Sequence, residues 1–282
     1  MEIKFQKMHG TLNDFVVFHD LFGSLKLTPD QVTGICNRRT GVGADGVIAL
    51  RSDESADFCM DYVNSDGSVA EMCGNGIRCL AKYAYDNGLT TDRVIRVRTG
   101  AGIKVLEMFP GPDGKIDTVR VDMGRPIFEP RLLPVNLDTD TLPIVDYPIE
   151  AQGRVFNATM VSMGNPHCVI FVPDDPDALP ARYGPAIEEH PLFPAKTNVE
   201  FIRVIDRSHI LMRVWERGSG ETFACGTGAC AAAVAARLKG MADPESTVHL
   251  KGGDLLIDWK TPESSVFMTG PAVRVYKGTI TI

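Results

Sequence analysis

The sequence predicts an α+β fold built from two similar halves, and two observations carry this prediction. Seven landmark positions pair with positions 152 residues later without a gap, from Asn13 and Asn165 (165 − 13 = 152) to Gly100 and Gly252. Each half also alternates short apolar runs with turn residues and contains one stretch of helical spacing. A fixed long period indicates a duplicated unit. We therefore expect two pseudo-symmetric domains, each a strongly bent, mostly antiparallel sheet or barrel around a central helix.

In the first half, apolar residues at Ile77, Leu80, Ala81 and Ala84 follow helical spacing and predict a helix over Ile77–Asp86. Asn87-Gly88 ends this helix, because asparagine and glycine readily take the conformations that close a helix. Turns are expected at Met8–Asp14 and at Asn64–Ser68. The predicted strands of this half are residues 2–7, 15–19, 47–50, 58–63, 94–97 and 103–108.

The second half repeats this plan, with a helix predicted over Ala229–Leu238 that ends at Lys239-Gly240. Its predicted strands are residues 168–172, 198–204, 210–215 and 255–259. Val119–Gly124 resembles Val273–Gly278, so each half is expected to end in a similar strand, and the proline-rich stretch after Gly124 is expected to cross between the halves. We predict one domain of residues 1–124 plus the C-terminal strand 271–282, and a second of residues 125–270.

Composition narrows the classes of function. The net charge of −7 comes with mixed signs and no basic patch, which argues against a nucleic-acid partner. No apolar run reaches the ~18 residues of a membrane span, and the N-terminus lacks the apolar segment of a signal peptide, so we expect a cytoplasmic protein. Seven cysteines, an odd number, are expected to be reduced, and their spacing is not that of a structural zinc site.

Two of these cysteines lie where chemistry is expected. Cys73 and Cys225 each precede a Gly-x-Gly sequence that begins a helix. The first N–H groups of a helix have no acceptor within it, so they favour an anion, either a bound carboxylate or a thiolate. A thiol placed there is expected to be more acidic than a free cysteine. One thiolate could remove a proton from the carbon beside a carboxylate, and an opposing thiol could return one to the other face, which inverts the centre. The other cysteines, Cys36, Cys59, Cys79, Cys168 and Cys230, are expected to be packed in the core.

These motifs, in order, make the sequence similar to the diaminopimelate epimerase family. The matching stretches cover nearly the whole chain and are Met8–Phe15, Gly43–Gly46, Asn64–Ser68, Glu71–Cys79, Ser162–Cys168, Thr197–Val199, Trp215–Gly218 and Ala224–Gly228. The resemblance implies epimerisation of LL-2,6-diaminopimelate to the meso isomer, in lysine and peptidoglycan precursor synthesis. It also implies a homodimer that uses neither pyridoxal phosphate nor a metal.

The resemblance assigns roles by position. Cys73 and Cys225 would be the acid and base, and backbone N–H groups of Gly74, Asn75, Gly226 and Thr227 would hold the reacting carboxylate. His167 and Glu216 would tune the thiols, and Glu216 would also contact the reacting amino group. The remaining polar groups of the substrate would be bound by Asn13, Asn64, Asn165, Asn198 and Arg217, and an arginine with several asparagines suits a zwitterion with a second carboxylate.

Two positions depart from the family pattern, and two other functions stay open. Many relatives have Gly where Leu12 stands and Gln where Gly46 stands, which bears on the substrate more than on the reaction. The same fold could racemise another amino acid without a cofactor. Alternatively, a non-catalytic protein could bind a ligand and respond to oxidation through its two thiols. Closure of two lobes over a small polar ligand is a further expectation.

Overall fold

A computed structural model describes residues 2–137, 139 and 141–282 of the chain. The chain divides into two compact units: Met1–Asp122 with Thr269–Ile282 is the first, and Met123–Met268 is the second.

The first unit contains two helices and most of the strands that surround them. Its elements are β1 (Glu2–Gly10), β2 (Asn13–His19), α1 (Pro29–Cys36), β3 (Gly46–Arg51), β4 (Phe58–Asn64), β5 (Val69–Ala70), α2 (Gly74–Asp86), β6 (Val94–Thr99), β7 (Gly102–Pro110) and β8 (Ile116–Asp122).

The second unit follows a similar order of elements, and the chain then returns to the first unit. These elements are β9 (Tyr147–Ala151), β10 (Arg154–Ser162), β11 (Pro166–Phe171), α3 (Leu179–Glu188), β12 (Asn198–Asp206), β13 (His209–Glu216), β14 (Gly220–Glu221), α4 (Gly226–Leu238), β15 (Glu245–Leu250), β16 (Gly253–Asp258), β17 (Phe267–Pro271) and β18 (Val273–Thr281).

Strand pairing follows the same plan in both units. In the first unit β1 pairs antiparallel with β18 and β2, β2 runs parallel to β3, and β3 pairs antiparallel with β4. In the second unit β10 pairs antiparallel with β11, β11 runs parallel to β12, and β12 pairs antiparallel with β13. The parallel step β4–β6 in the first unit is matched by β13–β15 in the second. The register is equivalent too, since Phe15 faces Gly46 and His167 faces Asn198.

One helix in each unit is enclosed by these strands. Helix α2 packs against β1, β2, β3, β7 and β8, and its residues from Gly74 to Ala84 are all buried. Helix α4 packs against β10 to β13, β15 and β16. Its alanine-rich sequence buries every residue from Ala229 to Ala236, because small side chains let strands approach on all sides. Burying a larger side chain such as Leu80 stabilises the unit by about 2 kcal/mol.

The predicted α+β class is confirmed, with corrections to several elements. Both central helices begin three residues before the predicted start, at Gly74 and Gly226, because a glycine run that scores poorly for helix is held by tertiary packing. The turn predicted over Met8–Asp14 narrows to residues 11 and 12, since β1 and β2 extend to a two-residue hairpin. Helices α1 and α3 were not predicted. The sequence does indicate the start of helix α1, because Thr28 and Gln31 form a capping box. Helix α3 contains Pro185, and a proline inside a segment argues against a helix.

The five cysteines outside the two motifs are buried, as predicted: Cys36, Cys59, Cys79, Cys168 and Cys230. Burial raises the pKa of Cys36 to about 11 and that of Cys79 to about 12. Within residues 2–137, 139 and 141–282, no helix combines the length and apolar character that a bilayer span needs.

Candidate active site

Cys73 is the N-cap residue of helix α2, and its sulfur lies close to a backbone N–H of the helix and to the side chain of Asn13. Its backbone is extended, and its Sγ atom accepts a hydrogen bond from the N–H of Gly76 at 3.4 Å. The same sulfur lies 3.5 Å from Oδ1 of Asn13, to which the thiol can donate. Asn75 also donates to Asn13 Oδ1, at 3.3 Å. A side chain at Gly76 would meet Ile48 and the Cys73 Cβ, so glycine is needed for the strand and the helix start to come this close.

Asn13 is held in turn by a cluster of charged residues. Its Nδ2 donates to Asp45 at 2.7 Å, and Arg38 bridges Asp45 and Asp14. Burial raises the pKa of Asp14, but hydrogen bonds from Arg38 and Lys7 outweigh it and lower that pKa to about 2. This cluster fixes the amide of Asn13, so its oxygen is directed to Cys73.

A buried arginine organises the first turn of α2. Arg78 is fully buried and donates to the carbonyl of Gly74 at 3.0 Å and to Oδ1 of Asn75 at 2.8 Å. It also donates to the carbonyl of Pro271 at 3.2 Å. The N–H groups of this first turn are those predicted to hold a carboxylate, because helix N-termini leave such groups without acceptors inside the helix. Asn64 lies nearby in sequence at the end of β4, where its side chain donates to Ser68.

Cys225 occupies the equivalent N-cap position of helix α4. It is more buried than Cys73 and lies near the carboxylates of Glu216 and Glu200. Its Sγ lies 3.5 Å from the hydroxyl of Thr227, and the thiol hydrogen-bonds to the carboxylate of Glu216. Glu216 also accepts a hydrogen bond from Thr222. Burial raises the pKa of the Glu216 carboxyl.

The expectation that both helix starts make their thiols acidic is wrong for Cys225. Burial, followed by the charges of Glu216 and Glu200, raises the pKa of Cys225 well above its ordinary value. The hydrogen bond from Thr227 acts in the opposite direction and does not compensate. Loss of solvent and two nearby carboxylates therefore outweigh the helix terminus at this sulfur.

In the second unit, Asn165 and His167 belong to one hydrogen-bonded network with Thr227, and Asn198 makes separate hydrogen bonds. His167 Nε2 lies 3.1 Å from Asn165 Oδ1, and Asn165 Nδ2 donates to Thr227 at 3.3 Å. His167 Nδ1 contacts Glu200, not Cys225 or Glu216. Asn198 donates to the carbonyl of Pro166 and accepts from the N–H of Arg217, so it holds the turn after β13.

Arg217 was predicted to bind the substrate, whereas Glu200 was assigned no role. The guanidinium of Arg217 is exposed and donates to the carbonyl of Ala195 at 3.2 Å. Glu200 was not predicted at all, although a carboxylate between the apolar residues Val199 and Phe201 of a predicted strand was a visible signal. Among the described residues, no group of three or more His, Cys, Asp or Glu side chains is placed to hold a metal ion.

Comparison with known proteins gives consistent results over nearly the whole chain. A family model described as diaminopimelate epimerase matches residues 5–129 and 159–275. Proteins named diaminopimelate epimerase are similar at full length: that of Leptospira biflexa is 47% identical over 100% of both chains, and that of Pelotomaculum thermopropionicum is 50% identical over 97% of both.

Solved structures with low identity share the fold. A phenazine biosynthesis protein of the PhzF family from Bacillus anthracis has a TM-score of 0.70 at 18% identity, covering 100% of both chains. A hydroxyproline epimerase from Agrobacterium vitis has a TM-score of 0.68 at 14% identity, covering 99% of this chain and 91% of that one.

Proposed function

Since this chain belongs to the diaminopimelate epimerase family, we propose that it converts LL-2,6-diaminopimelate to the meso isomer by two-base proton transfer at the α carbon. The observation that carries the proposal is the pair of N-cap cysteines, each seated on a glycine-rich helix start at the same position of a repeated unit. The reaction needs a base and an acid whose proton affinities differ, and the two sulfurs have different surroundings.

In the proposed step, one sulfur acts as thiolate and takes the α proton, so the C–H bond breaks and an S–H bond forms. The electron pair left on carbon delocalises into the substrate carboxylate. N–H groups of Gly74, Asn75, Gly226 and Thr227 would stabilise the charge that develops on the carboxylate oxygens. The other sulfur, as thiol, delivers its proton to the opposite face. No redox change occurs, and the chain needs no added cofactor for this chemistry.

The remaining polar residues are proposed to bind and orient the substrate. Asn13 and Asn165 sit beside the two thiol positions and have hydrogen-bonding capacity left for a ligand. Glu216 is proposed to contact the reacting amino group and, with His167, to tune the thiols. Asn64, Asn198 and Arg217 are proposed to bind the distal amino-acid group, with Arg217 providing the charge for a second carboxylate.

We also propose the setting in which the enzyme works. Residues 1–124 with 271–282 and residues 125–270 are proposed to act as two half-site domains, which supply Cys73 and Cys225 respectively. A homodimer is supported by strand β18, which exposes Val273, Val275 and Tyr276, since exposed apolar side chains grouped on one strand favour a partner. A cytoplasmic role in lysine and peptidoglycan precursor synthesis is proposed on the strength of the family resemblance.

The test is α-hydrogen exchange in deuterated water with LL-diaminopimelate and no added cofactor. We expect exchange with inversion in the unaltered protein and a loss of at least about 1,000-fold in Cys73→Ala and in Cys225→Ala. Cys59→Ala, in the core of the first unit, is the matched control and should retain exchange. Full activity in either motif variant would reject the mechanism, and faster turnover of a mono-amino acid would instead indicate a racemase of another substrate.

A further inference from the structure

The two units bury different chemistry at two equivalent positions. Phe15 and Ile48 in the first unit correspond to His167 and Glu200 in the second (167 − 15 = 152 and 200 − 48 = 152). All four side chains are at most 1% exposed. The second unit therefore contains an ionisable pair where the first contains hydrocarbon. Because burying ionisable groups costs several kcal/mol of desolvation, stability alone does not account for this pair.

The pair begins a continuous hydrogen-bonded chain that ends at the sulfur of Cys225. Glu200 Oε1 lies 2.7 Å from His167 Nδ1, and His167 Nε2 lies 3.1 Å from Asn165 Oδ1. Asn165 Nδ2 donates to Thr227 Oγ1 at 3.3 Å, and that hydroxyl lies 3.5 Å from Cys225 Sγ. Since the Thr227 oxygen accepts from Asn165, its own proton is available for the sulfur.

Glu200 also approaches the helix start directly. A Cβ placed on Gly228 would lie 2.7 Å from Glu200 Oε1 and 3.2 Å from Cys225 Sγ, so carboxylate and sulfur crowd the same point. The second carboxylate oxygen, Oε2, is buried and has no hydrogen-bond partner among the described residues. An unpaired buried carboxylate oxygen lowers stability, so its presence points to a role for Glu200 other than stability.

We propose that Glu200 is a positioning residue for the proposed epimerisation: its carboxylate orients His167, and through Asn165 and Thr227 it sets the hydrogen bonding of Cys225 and the ease with which that sulfur loses its proton. This inference deepens the proposed function and rests on it for the role of Cys225. The first unit has Ile48 at the same position, so this positioning by a buried carboxylate acts on Cys225 and not on Cys73.

The charged and titratable groups that face Cys225 are few and define the expected direction. Among the described residues they are Glu200 on β12, Glu216 on β13 and His167 on β11, which lies between Glu200 and Asn165 in the hydrogen-bonded chain. Both carboxylates oppose a negative sulfur, and the raised pKa of Cys225, caused first by burial, agrees with this arrangement. Removal of the Glu200 charge should therefore make the Cys225 thiol more acidic.

The experiment compares Glu200→Gln with the unaltered full-length protein. Glutamine keeps the shape and an acceptor for His167 but removes the charge. Iodoacetamide alkylation is followed at each pH by mass spectrometry of the separate peptides that contain Cys225 and Cys73. We expect the pH midpoint for Cys225 to fall by about one unit while that for Cys73 stays the same. In the exchange assay we expect kcat to fall about 10-fold with KM within about twofold, as for other residues that orient a reacting group.

Two further variants provide a control and a second test of the role of Glu200. Glu150→Gln, an exposed carboxylate of the same unit, should change neither midpoint nor kcat. The double variant His167→Phe/Glu200→Ile installs the apolar pair of the first unit, and it should fold even if the single variant does not and reproduce the lower Cys225 midpoint. The alkylation measurement needs no turnover, so it separates this inference from failure of the proposed reaction. A Cys225 midpoint that does not move in any folded variant, or one that moves together with that of Cys73, would overturn it.

Discussion

Cys73 and Asn13 are in direct contact, with Sγ 3.5 Å from Oδ1, whereas the equivalent pair in the second unit is bridged by Thr227. The first thiol therefore meets a side-chain acceptor, and the second meets a hydroxyl that can donate to it. Two units with the same backbone plan thus give their sulfurs different hydrogen-bond partners.

Replacement of Asn13 by leucine should slow substrate α-hydrogen exchange by at least about 10-fold, since it removes three hydrogen bonds, including the one to Cys73. Asn165→Leu should act similarly on the second unit. Deuterium incorporation measured by mass spectrometry, with circular dichroism to verify folding, tests both. The control is Asn157→Leu on an exposed position of β10, and equal rates in all three variants would show that the two asparagines do not serve the site.

Replacement of Leu12 by glycine should stabilise the protein by about 1 kcal/mol. Thr11 and Leu12 form the two-residue loop between β1 and β2 with φ of 48° and 65°, a conformation that is strained for a leucine and free of strain for glycine. Urea unfolding gives the free energy. Leu132→Gly is the control, an exposed leucine whose φ is not positive, and it should be neutral or destabilising. A loss of stability in Leu12→Gly would contradict the account of strain.

Replacement of Gly46 by alanine should cost about 2 kcal/mol or more of unfolding free energy. A Cβ there would lie 2.5 Å from a ring carbon of Tyr62 and 2.7 Å from the carbonyl oxygen of Val63. Tyr62→Leu should relieve only the first clash, so the double variant should recover part of the loss. A double-mutant cycle measures this coupling; strict additivity of the two changes would argue that the ring does not occupy the space. Tyr62 and the carbonyl oxygen of Val63 thus leave no room for a side chain at position 46.

The acid limb of the stability curve should depend on Asp14. Its pKa is lowered to about 2 in the folded protein, so its contribution is complete above the unfolded value near 4 and is lost as pH falls through 2. Asp14→Asn should remove about 2 kcal/mol at neutral pH and flatten the decline between pH 4 and pH 2. Unfolding free energies at several pH values test this, with the exposed Asp92→Asn as control. A slope unchanged by Asp14→Asn would mean that other carboxylates carry the acid sensitivity.

The sequence by itself determined the features that depend on neighbouring residues and on the repeat. The spacing of apolar residues located helix α2 and the repeat located helix α4, and the paired Cys-Gly-x-Gly motifs located Cys73 and Cys225 at their starts, because capping and helical period are local properties. The same local signals could not extend the helices over glycines, and they could not reveal α3 around its proline.

Only the tertiary structure decided how each sulfur is surrounded. Glu200 precedes Cys225 by 25 positions (225 − 200 = 25), and its carboxylate reaches the helix start only because β12 packs under α4. Burial and charge act through space, so residues far apart in the chain raised the pKa of Cys225 where the helix terminus alone predicted the opposite. The lack of space for a side chain at position 46 was likewise decided by Tyr62 on the neighbouring strand, and no local sequence pattern encodes that contact.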